Sequence, residues 1–519
     1  MNKQLTLWGL IAERARLTPG KRFCRDEHKR SLSFAEYRQE AERLALILHQ
    51  RGISSGDRVA WQLPSWIDTL VVCAALARLG AVQMPLFPSL RFNEVSHLCS
   101  MAEPKLLITP ATWKSFDYAD MAARIQAQQI SSMDTMTLSP PDHTAEHRDG
   151  SSGLERTLPE AQETVDDYPE RWIYCTSGTT SSPKAARHSD LAFITVGHGM
   201  NAALELTSRD VVPIYFPFAH VGGLMWLVSS LLTGCELVMV EAFNDDGLRV
   251  GDSFGATIGG AGTAFHLGFQ RYQQQSEGDC FSMMRCFTGG GAPKPPSLHY
   301  EMKDAFDCAG IISGYGMTEC PIITMNTVRD PDDKLANTEG RLLPGMRVKI
   351  VDRNGQICGP GQEGEIRVKG PHLCLGFLDS HLNETAFDNE GYFRSGDLGH
   401  LDNEGWLTIS GRLKDIIIRK GENISAKKVE DVLFLHALIS DAVVVGIPDN
   451  ERGEMACAVV TLAESQSEFD INSLQRHCLD KGLMIQEVPE RWLRVDSLPR
   501  NASGKILKDQ VRRQLLEPS

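Results

Sequence analysis

The sequence predicts an α/β protein with a large N-terminal domain of stacked βα sheets, a small β-rich subdomain and a small α+β C-terminal domain. A chain of 519 residues is too long for one hydrophobic core, so at least two domains are expected. The first 130 residues alternate helical and strand patterns, which is typical of a parallel sheet covered by helices. From Gly345 the pattern changes to short β segments, and from Gly411 it alternates between strands and helices.

The hydrophobic periodicity predicts the elements in chain order. The early helices are expected at residues 34–50, 69–79 and 92–101, and the strands between them at 58–63, 81–86 and 105–109. Residues 131–170 are polar, so we interpret them as a long surface connection. After a buried strand at 172–175, the expected elements are a helix at 191–205, a strand at 211–216 and a helix at 224–232.

Composition excludes several classes of function. The formal net charge of −14, without a long basic run, argues against a nucleic-acid surface. The first residues read as an amphipathic helix, not an export signal, and no apolar run is long enough to span a bilayer. The 13 cysteines are scattered without C-x-x-C pairs, which is typical of reduced thiols. These features predict a cytoplasmic protein.

A hydroxyl-rich segment follows the strand predicted at 172–175. It reads Tyr174-Cys-Thr-Ser-Gly-Thr-Thr-Ser-Ser-Pro-Lys184. Such a loop can direct several backbone N–H groups at one point, and its hydroxyls and the ammonium of Lys184 add further donors for a phosphate. The segment is not the P-loop pattern, and by itself a surface Ser/Thr turn is an equal alternative.

Three further loops follow predicted strands and carry groups that could contact a ligand. Pro217-Phe-Ala-His220-Val-Gly-Gly223 has one histidine where ligands bind in open α/β sheets, although a lone histidine is more often structural. Its glycines, and three more in Cys286-Phe-Thr-Gly-Gly-Gly-Ala-Pro293, would let a ligand approach the backbone. Ile312-Ser-Gly-Tyr315-Gly-Met-Thr-Glu319 offers groups to stack a purine, bond a phosphate and hold Mg²⁺, or to form a capped turn.

Two later segments add a carboxylate and a lysine. Tyr392-Phe-Arg-Ser-Gly-Asp397-Leu-Gly399 places a carboxylate on a predicted turn, where it suits a ribose diol or the turn itself. Leu498-Pro-Arg-Asn-Ala-Ser-Gly-Lys505-Ile506 places a lysine on a predicted loop. Such a lysine is either a stabiliser of developing charge or a solvated side chain.

Together, these segments resemble the adenylate-forming superfamily, which holds acyl-CoA synthetases, peptide-synthetase adenylation domains and firefly luciferase. The segments that carry the resemblance, in this order, are residues 176–184, 289–293, 314–319, 395–397, 411–415 and 499–505. The resemblance covers essentially the whole chain. Arg419-Lys-Gly-Glu-Asn-Ile424 is typical of the acyl- and aryl-CoA synthetase branch, including medium-chain fatty acid and cyclohexanecarboxylate CoA ligases.

The resemblance implies a two-step reaction with ATP, Mg²⁺ and coenzyme A. A carboxylate attacks the α-phosphorus of ATP and releases pyrophosphate, and CoA then displaces AMP from the acyl-adenylate. The first step brings two anions together and so needs cations and oriented donors. The residues implied as catalytic are Lys505, His220, Thr318 and Glu319, with Glu319 also the metal ligand.

Further residues are implied to contact the nucleotide or CoA. The hydroxyl-rich loop would hold the β- and γ-phosphates, Thr318 the α-phosphate, Tyr315 the adenine, and Asp397 and Arg412 the ribose. His220 would lie near the substrate carboxylate, and Lys505 would bridge it to the α-phosphate. The full cofactor-binding set is Thr176, Ser177, Gly178, Thr179, Thr180, Lys184, Gly290, Gly291, Ala292, Pro293, Gly314, Tyr315, Gly316, Met317, Asp397, Arg412, Lys414 and Gly421.

The resemblance also implies two domains that move relative to each other. Residues 1–410 would form the adenylation domain and residues 411–519 the mobile C-terminal domain. Lys414 matches the hinge position. Rotation would remove Lys505 from the active site and bring the turn carrying Gly421 to the pantetheine tunnel. A single residue that absorbs a large φ/ψ change is a known switching device.

Two departures from the family pattern leave alternatives open. The family usually has glycine at the positions of Ser181 and Ala185, where a required positive φ would cost about 1 kcal/mol. One alternative is therefore a relative that binds nucleotide or acyl-adenylate without turnover. A second is an enzyme that loads a carrier-protein thiol. An amino-acid substrate is disfavoured, because residues 216–223 lack the aspartate usual in amino-acid-activating relatives.

The identity of the acid is left open. Its pocket is expected near Trp226 and residues 264–268, 289–291 and 314–317, where small residues and the absence of charge favour an apolar acid. Medium-chain, alicyclic and aromatic acids all fit this expectation. The oligomeric state is also left open, with a homodimer as one alternative.

Overall fold

A computed structural model describes residues 4–128, 133–138, 157–176, 184–291, 294–420, 422–449, 451–462, 469–500 and 506–516. Its first part contains six helices: α1 Leu7–Leu17, α2 Phe34–Gln50, α3 Ile67–Leu79, α4 Phe92–Ala102, α5 Tyr118–Gln128 and α6 Asp190–Leu204. The strands of this part are β1 Gln4–Leu5, β2 Arg22–Asp26, β3 Ser31–Ser33, β4 Arg58–Trp61, β5 Val82–Pro85, β6 Leu106–Pro110, β7 Thr112–Trp113, β8 Phe116–Asp117, β9 Asp134–Leu138, β10 Thr164–Val165, β11 Trp172–Thr176 and β12 Lys184–His188.

The middle of the chain continues the βα alternation. Its helices are α7 Val221–Thr233, α8 Asp245–Ser253, α9 Thr263–Gln275, α10 Pro296–Phe306 and α11 Asp332–Asn337. Its strands are β13 Val211–Ile214, β14 Glu236–Met239, β15 Ile258–Gly259, β16 Cys286–Gly289, β17 Ile311–Met317, β18 Cys320–Met325 and β19 Arg341–Leu342.

The last two parts are the β-rich subdomain and the α+β region that the sequence predicts. The subdomain has β20 Arg347–Val351, β21 Gly364–Lys369, α12 His381–Ala386, β22 Phe393–Leu401 and β23 Leu407–Arg412. The C-terminal region has β24 Ile416–Arg419, β25 Glu422–Ser425, α13 Ala426–Phe434, β26 Ile439–Asp449, β27 Gly453–Leu462, α14 Ile471–Asp480, β28 Arg491–Arg494 and α15 Lys508–Leu516.

Three sheets of four to six strands build most of the N-terminal part, in addition to the two-stranded sheets β1-β10 and β7-β8. The strand orders of the three larger sheets are β12-β11-β5-β4-β6-β9, β13-β14-β2-β3 and β15-β16-β17-β18-β19. The neighbouring pairs from β11 to β9 are parallel, whereas β12 returns antiparallel to β11. The helices that follow the parallel strands cover the sheets, as the βα pattern predicts. The subdomain sheet has the order β20-β21-β22-β23.

The prediction of a surface connection over residues 131–170 is wrong in part. Its described portion contains β9, which pairs in parallel with β6 at the edge of the first sheet, and the short β10. The sequence of β9, Asp134-Thr-Met-Thr-Leu138, is polar and lacks a strong apolar alternation. An edge strand of this kind is specified by backbone pairing with its neighbour, which local periodicity does not reveal.

Hydrophobic packing separates the C-terminal region from the rest. The largest core cluster spans the three N-terminal sheets and the subdomain, with Leu407 its last buried member. The two C-terminal clusters begin at Ile417 and Val443. The stretch between Leu407 and Ile417 therefore carries little of either core. Within the described ranges, no helix is both long enough and apolar enough to cross a membrane.

Candidate nucleotide and acid site

Three side chains, one from β17 and two from the subdomain strands β22 and β23, form a hydrogen-bonded group. The Tyr315 hydroxyl on β17 donates to Asp397 Oδ2 on β22 at 2.7 Å. Arg412 on β23 lies opposite Asp397 in the register, and its Nε is 2.6 Å from Asp397 Oδ1. Asp397 is 3% exposed, and burial raises the pKa of Tyr315, so the phenol remains a donor. Asp397 belongs to a strand, which corrects its prediction as a turn residue.

A second carboxylate, Glu319, lies at the turn between β17 and β18 and close to the same group. Burial raises its pKa, while the positive charges of Lys184 and Arg412 oppose that shift. Lys184, Arg412 and Asp397 therefore lie within electrostatic range of the Glu319 carboxylate. The turn closes tightly, because a Cβ at Gly316 would lie 2.1 Å from the Pro321 carbonyl oxygen.

Lys184 is the first residue of β12, opposite Thr176 at the end of β11. The predicted phosphate loop therefore joins the two strands of an antiparallel pair, with Lys184 at its exit. Ala185, where the family has glycine, is a buried strand residue without a positive φ, so the alanine causes no backbone strain there. Ser181 lies outside the described residues.

The glycine-rich segment lies against β17. Gly289 ends β16 opposite Ser313, and a Cβ at Gly290 would be 2.8 Å from the Gly314 carbonyl oxygen. A side chain at Gly290 would therefore push the two segments apart. Gly291 has φ +72°, a conformation that favours glycine. The bare backbone of residues 289–291 thus lies beside the strand that carries Tyr315 and leads to Met317.

His220 occupies the N-cap of α7. Its Nδ1 accepts a hydrogen bond from the Gly222 N–H at 3.1 Å. Desolvation lowers the pKa of His220 to about 4, so the ring is neutral near pH 7. Because Nδ1 is an acceptor, the proton of the neutral ring is on Nε2, which is therefore available as a donor. The rings of Phe87 and Phe216 lie 6.3 and 5.9 Å from it, centroid to centroid.

The two glycines after His220, Gly222 and Gly223, are required by local packing of the chain. A Cβ at Gly223 would lie 2.1 Å from the Phe218 carbonyl oxygen, and one at Gly222 would lie 3.1 Å from the Phe216 ring. Their small size is thus required by the packing of the first turn of α7, a different reason from the close substrate approach that the sequence suggested.

Lys414 lies in the short 3₁₀ turn Leu413–Asp415, between the last subdomain strand and the first C-terminal strand. Its Nζ is 3.9 Å from Asp509 Oδ2 on α15. Several other predicted site residues lie outside the described residues: Ser177, Gly178, Thr179, Thr180, Ala292, Pro293, Gly421 and Lys505. For Thr176 only the backbone position is described.

Two contacts to this site were not predicted from the sequence. His188 Nε2 is 2.9 Å from the Thr318 carbonyl oxygen, and His266 Nε2 is 2.9 Å from that of Thr288, next to the glycine-rich segment. Both histidines are at most 1% exposed. The sequence marks each histidine only as a polar residue within an otherwise apolar segment. This pattern indicates a buried hydrogen bond but does not identify the partner of the histidine.

The AMP-binding enzyme family matches residues 11–378, and the AMP-binding enzyme C-terminal domain matches residues 428–505. The chain therefore belongs to the AMP-binding enzyme family, whose members are adenylate-forming, and the expected superfamily is confirmed. Small carboxylic acids, ATP and CoA are typical substrates of this family.

Individual relatives agree with this assignment. The medium-chain fatty-acid–CoA ligase of Escherichia coli (strain K12) is 30% identical over 533 residues, covering 99% of this chain and 92% of the relative. The salicyl-AMP ligase/salicyl-S-ArCP synthetase of Mycobacterium tuberculosis is 29% identical, and the match covers 98% of this chain and 91% of the relative. The structure of o-succinylbenzoate CoA synthetase (MenE) from Bacillus subtilis with ATP and a magnesium ion has a TM-score of 0.82 at 26% identity, covering 99% and 100%. The predicted fold class is confirmed by such neighbours.

Proposed function

We propose that this chain is an ATP-dependent carboxylic acid–CoA ligase that activates an apolar acid as its acyl-adenylate. The observation that carries the proposal is the convergence of Lys184, Tyr315, Glu319, Asp397 and Arg412, which come from distant parts of the sequence. Two cations, two carboxylates and an aromatic face in one place are the groups that ATP recognition requires.

Each of these groups has a distinct task toward the nucleotide. Tyr315 supports the adenine, and the remaining lone pairs of Asp397 and the guanidinium of Arg412 bond the ribose hydroxyls. Lys184 and the loop before it hold the terminal phosphates. Glu319 suits Mg²⁺, because a half-buried carboxylate among cations is a hard oxygen donor that complements phosphate oxygens. When bound, the ion supplies positive charge to the phosphates.

In the first half-reaction, a carboxylate oxygen of the acid attacks the α-phosphorus and the bond to pyrophosphate breaks. His220 donates its Nε2–H to the carboxylate and orients it without adding charge. Thr318 bonds an α-phosphate oxygen. By resemblance to the family, Lys505 supplies the positive charge between carboxylate and phosphate.

In the second half-reaction, the CoA thiolate attacks the acyl carbonyl carbon and AMP leaves with the electron pair of the broken C–O bond. We propose that residues 1–410 and 411–519 are two domains that rotate about Lys414 between the half-reactions, which would bring Gly421 to the pantetheine tunnel that the family resemblance implies. The position of Lys414 between the separate hydrophobic clusters supports this division.

The neighbours of His220 support an apolar acid. Its described ring contacts are Phe87 and Phe216, and no carboxylate or ammonium contacts it within the described ranges. A second charged group on the substrate would lose its hydration there without a partner. Medium-chain, alicyclic and aromatic acids all meet this requirement.

A carrier-protein thiol is the alternative acceptor of the acyl group, and the similarity to carrier-loading enzymes supports this alternative. Relatives of similar identity include carrier-loading enzymes, among them the salicyl-AMP ligase named above. Such an enzyme would form the same acyl-adenylate but would transfer poorly to free CoA.

A panel of acids with ATP and Mg²⁺, assayed for pyrophosphate and for acyl-CoA by mass, tests the proposal. We expect both products from apolar acids. Pyrophosphate without acyl-CoA would favour the carrier-loading alternative, and nucleotide binding without pyrophosphate would favour a non-catalytic relative.

The hinge has its own test. Lys414→Pro, which fixes φ, is expected to leave pyrophosphate release nearly intact and to slow thioester formation by at least about tenfold. Lys414→Ala is the matched control, because it removes the ammonium without restricting φ. Equal loss of both half-reactions in the proline variant would contradict the hinge assignment.

A further inference from the structure

His188, the last residue of β12, is completely buried and contacts the backbone of the Thr318–Glu319 turn. Its Nε2 is 2.9 Å from the Thr318 carbonyl oxygen. Burial lowers the pKa of His188 to about 4, so the ring is neutral. A carbonyl only accepts, so the ring proton is on Nε2 and is donated to Thr318.

The next carbonyl of the same turn is also held. The Glu319 carbonyl oxygen accepts from the Cys374 N–H at 2.8 Å. The segment that contains Cys374 is itself attached to β12. The Leu375 N–H donates to the Arg187 carbonyl at 2.7 Å, and the Leu378 N–H donates to the Ala185 carbonyl at 2.8 Å.

Both carbonyls of the turn are thus linked by hydrogen bonds to the same strand, β12. This strand begins with Lys184. The Thr318 carbonyl is held by the strand's last side chain and the Glu319 carbonyl by a segment paired with its backbone. The relative positions of the Lys184 ammonium, the Thr318 hydroxyl and the Glu319 carboxylate depend on these contacts. A shift of about 1 Å takes a hydrogen bond beyond its usual length, so it would weaken the contacts of such a set with phosphate.

Packing alone does not account for a histidine here. The second ring nitrogen of His188, Nδ1, is buried without a hydrogen-bond partner among the described residues. An unpaired buried polar atom costs free energy that an apolar side chain would avoid. The Nε2–H bond to Thr318 is the feature that an apolar residue could not supply.

We propose that His188 is a positioning residue for Mg²⁺·ATP, which sets the Thr318–Glu319 turn at the correct distance from Lys184. This inference rests on the proposed function for the assignment of these three residues to the phosphates. His188 itself does not touch the substrate.

The matched variants are His188→Gln and His188→Asn. The glutamine amide nitrogen reaches the place of Nε2 and can donate to Thr318, whereas the asparagine amide ends at the place of Nδ1 and cannot. Binding of Mg²⁺·ATP and of adenosine, which has no phosphate, is measured by calorimetry, with adenosine measured by competition.

We expect the asparagine variant to bind Mg²⁺·ATP about tenfold more weakly and adenosine within about twofold of the original chain, as for one lost hydrogen bond. The glutamine variant should stay within about threefold for both ligands. The control pair is His477→Asn and His477→Gln, because His477 Nε2 makes the same bond, 3.0 Å to the Val432 carbonyl, in the C-terminal region. Neither control should change binding.

Unchanged Mg²⁺·ATP binding in the asparagine variant would overturn the inference. Equal losses for ATP and adenosine, or equal losses in both His188 variants, would also overturn it, because they would indicate general damage to the fold. The binding measurements, combined with the pyrophosphate assay described above, separate this inference from the proposed function. If the original chain binds Mg²⁺·ATP and the variants differ as expected, but no acid yields pyrophosphate, the inference stands and the ligase proposal fails.

Discussion

The two ends of the proposed site, where the nucleotide and the acid would bind, differ in their content of charged side chains. At the nucleotide end, Asp397 is ion-paired with Arg412 and hydrogen-bonded to Tyr315, with Glu319 and Lys184 nearby. At the acid end, His220 is neutral and lies near the rings of Phe87 and Phe216. Charged side chains are thus concentrated where the proposed function places the polyanionic ATP. The other end offers a donor without charge, which suits an acid with an apolar body.

The largest effect is expected from Asp397→Ala, which removes a carboxylate from the charged, nucleotide end of the proposed site. The change leaves the Arg412 guanidinium and the Tyr315 hydroxyl without their partner. The proposed hydrogen bonds from the ribose hydroxyls to the Asp397 carboxylate are lost, and bonds to a charged group contribute up to about 3 kcal/mol, so AMP should bind roughly 100-fold more weakly by calorimetry. An affinity within about threefold of the original chain would show that this group does not contact the nucleotide.

A smaller effect at the neutral end is expected from His220→Leu. Loss of the Nε2–H donor to a carboxylate should lower kcat/KM for the acid by about 30-fold, corresponding to about 2 kcal/mol, with little change in AMP affinity. His220→Gln, which keeps an amide donor, should recover most of the loss. A parallel fall in AMP affinity would mean that the two ends are not separate.

Acid pH should destabilise the nucleotide end through its buried histidines. Burial lowers the pKa values of His188 and His266 to about 4, whereas an unfolded histidine titrates near 6.5. Between these values the unfolded chain binds more protons, so stability is fully present above pH 6.5 and is lost as the pH falls toward 4. The expected loss is about 2 kcal/mol per histidine between pH 6.5 and 5.

Urea unfolding at the two pH values measures this dependence. His266→Gln, which does not titrate, should show a pH dependence smaller by about 2 kcal/mol than the original chain. An unchanged pH dependence in this variant would contradict the burial of a neutral ring at position 266.

The smallest effect is expected from Tyr315→Phe. The ring remains for the adenine, and Asp397 keeps its bond to Arg412, so only one hydrogen bond is lost. AMP affinity should fall about fivefold, corresponding to about 1 kcal/mol. A loss as large as that of Asp397→Ala would show that the hydroxyl, and not the ion pair, organises this end.

The sequence identified several residues that the structure places together, but it did not identify the residues that hold them in position. Tyr315, Glu319, Asp397 and Arg412 were found because family motifs preserve local order along the chain, and the structure brings their side chains together. His188 and His266 were missed because their partners, Thr318 and Thr288, are distant in sequence or unmarked by any motif. For the same reason β9 was missed, because backbone pairing with β6 and not side-chain periodicity defines it. The roles of all these site residues stay predictions, as do those of Lys505, Gly421 and the hydroxyl-rich loop.

The exchange of labelled pyrophosphate into ATP, with Mg²⁺ and each of a panel of acids but without CoA, tests the central claim most directly. It reports formation of an acyl-adenylate from a charged nucleotide and an apolar acid, whatever the final acceptor. The account predicts exchange with medium-chain, alicyclic or aromatic acids and little with amino acids or dicarboxylic acids. Exchange driven mainly by acids with a second charged group, or no exchange with any acid while ATP binds, would contradict it.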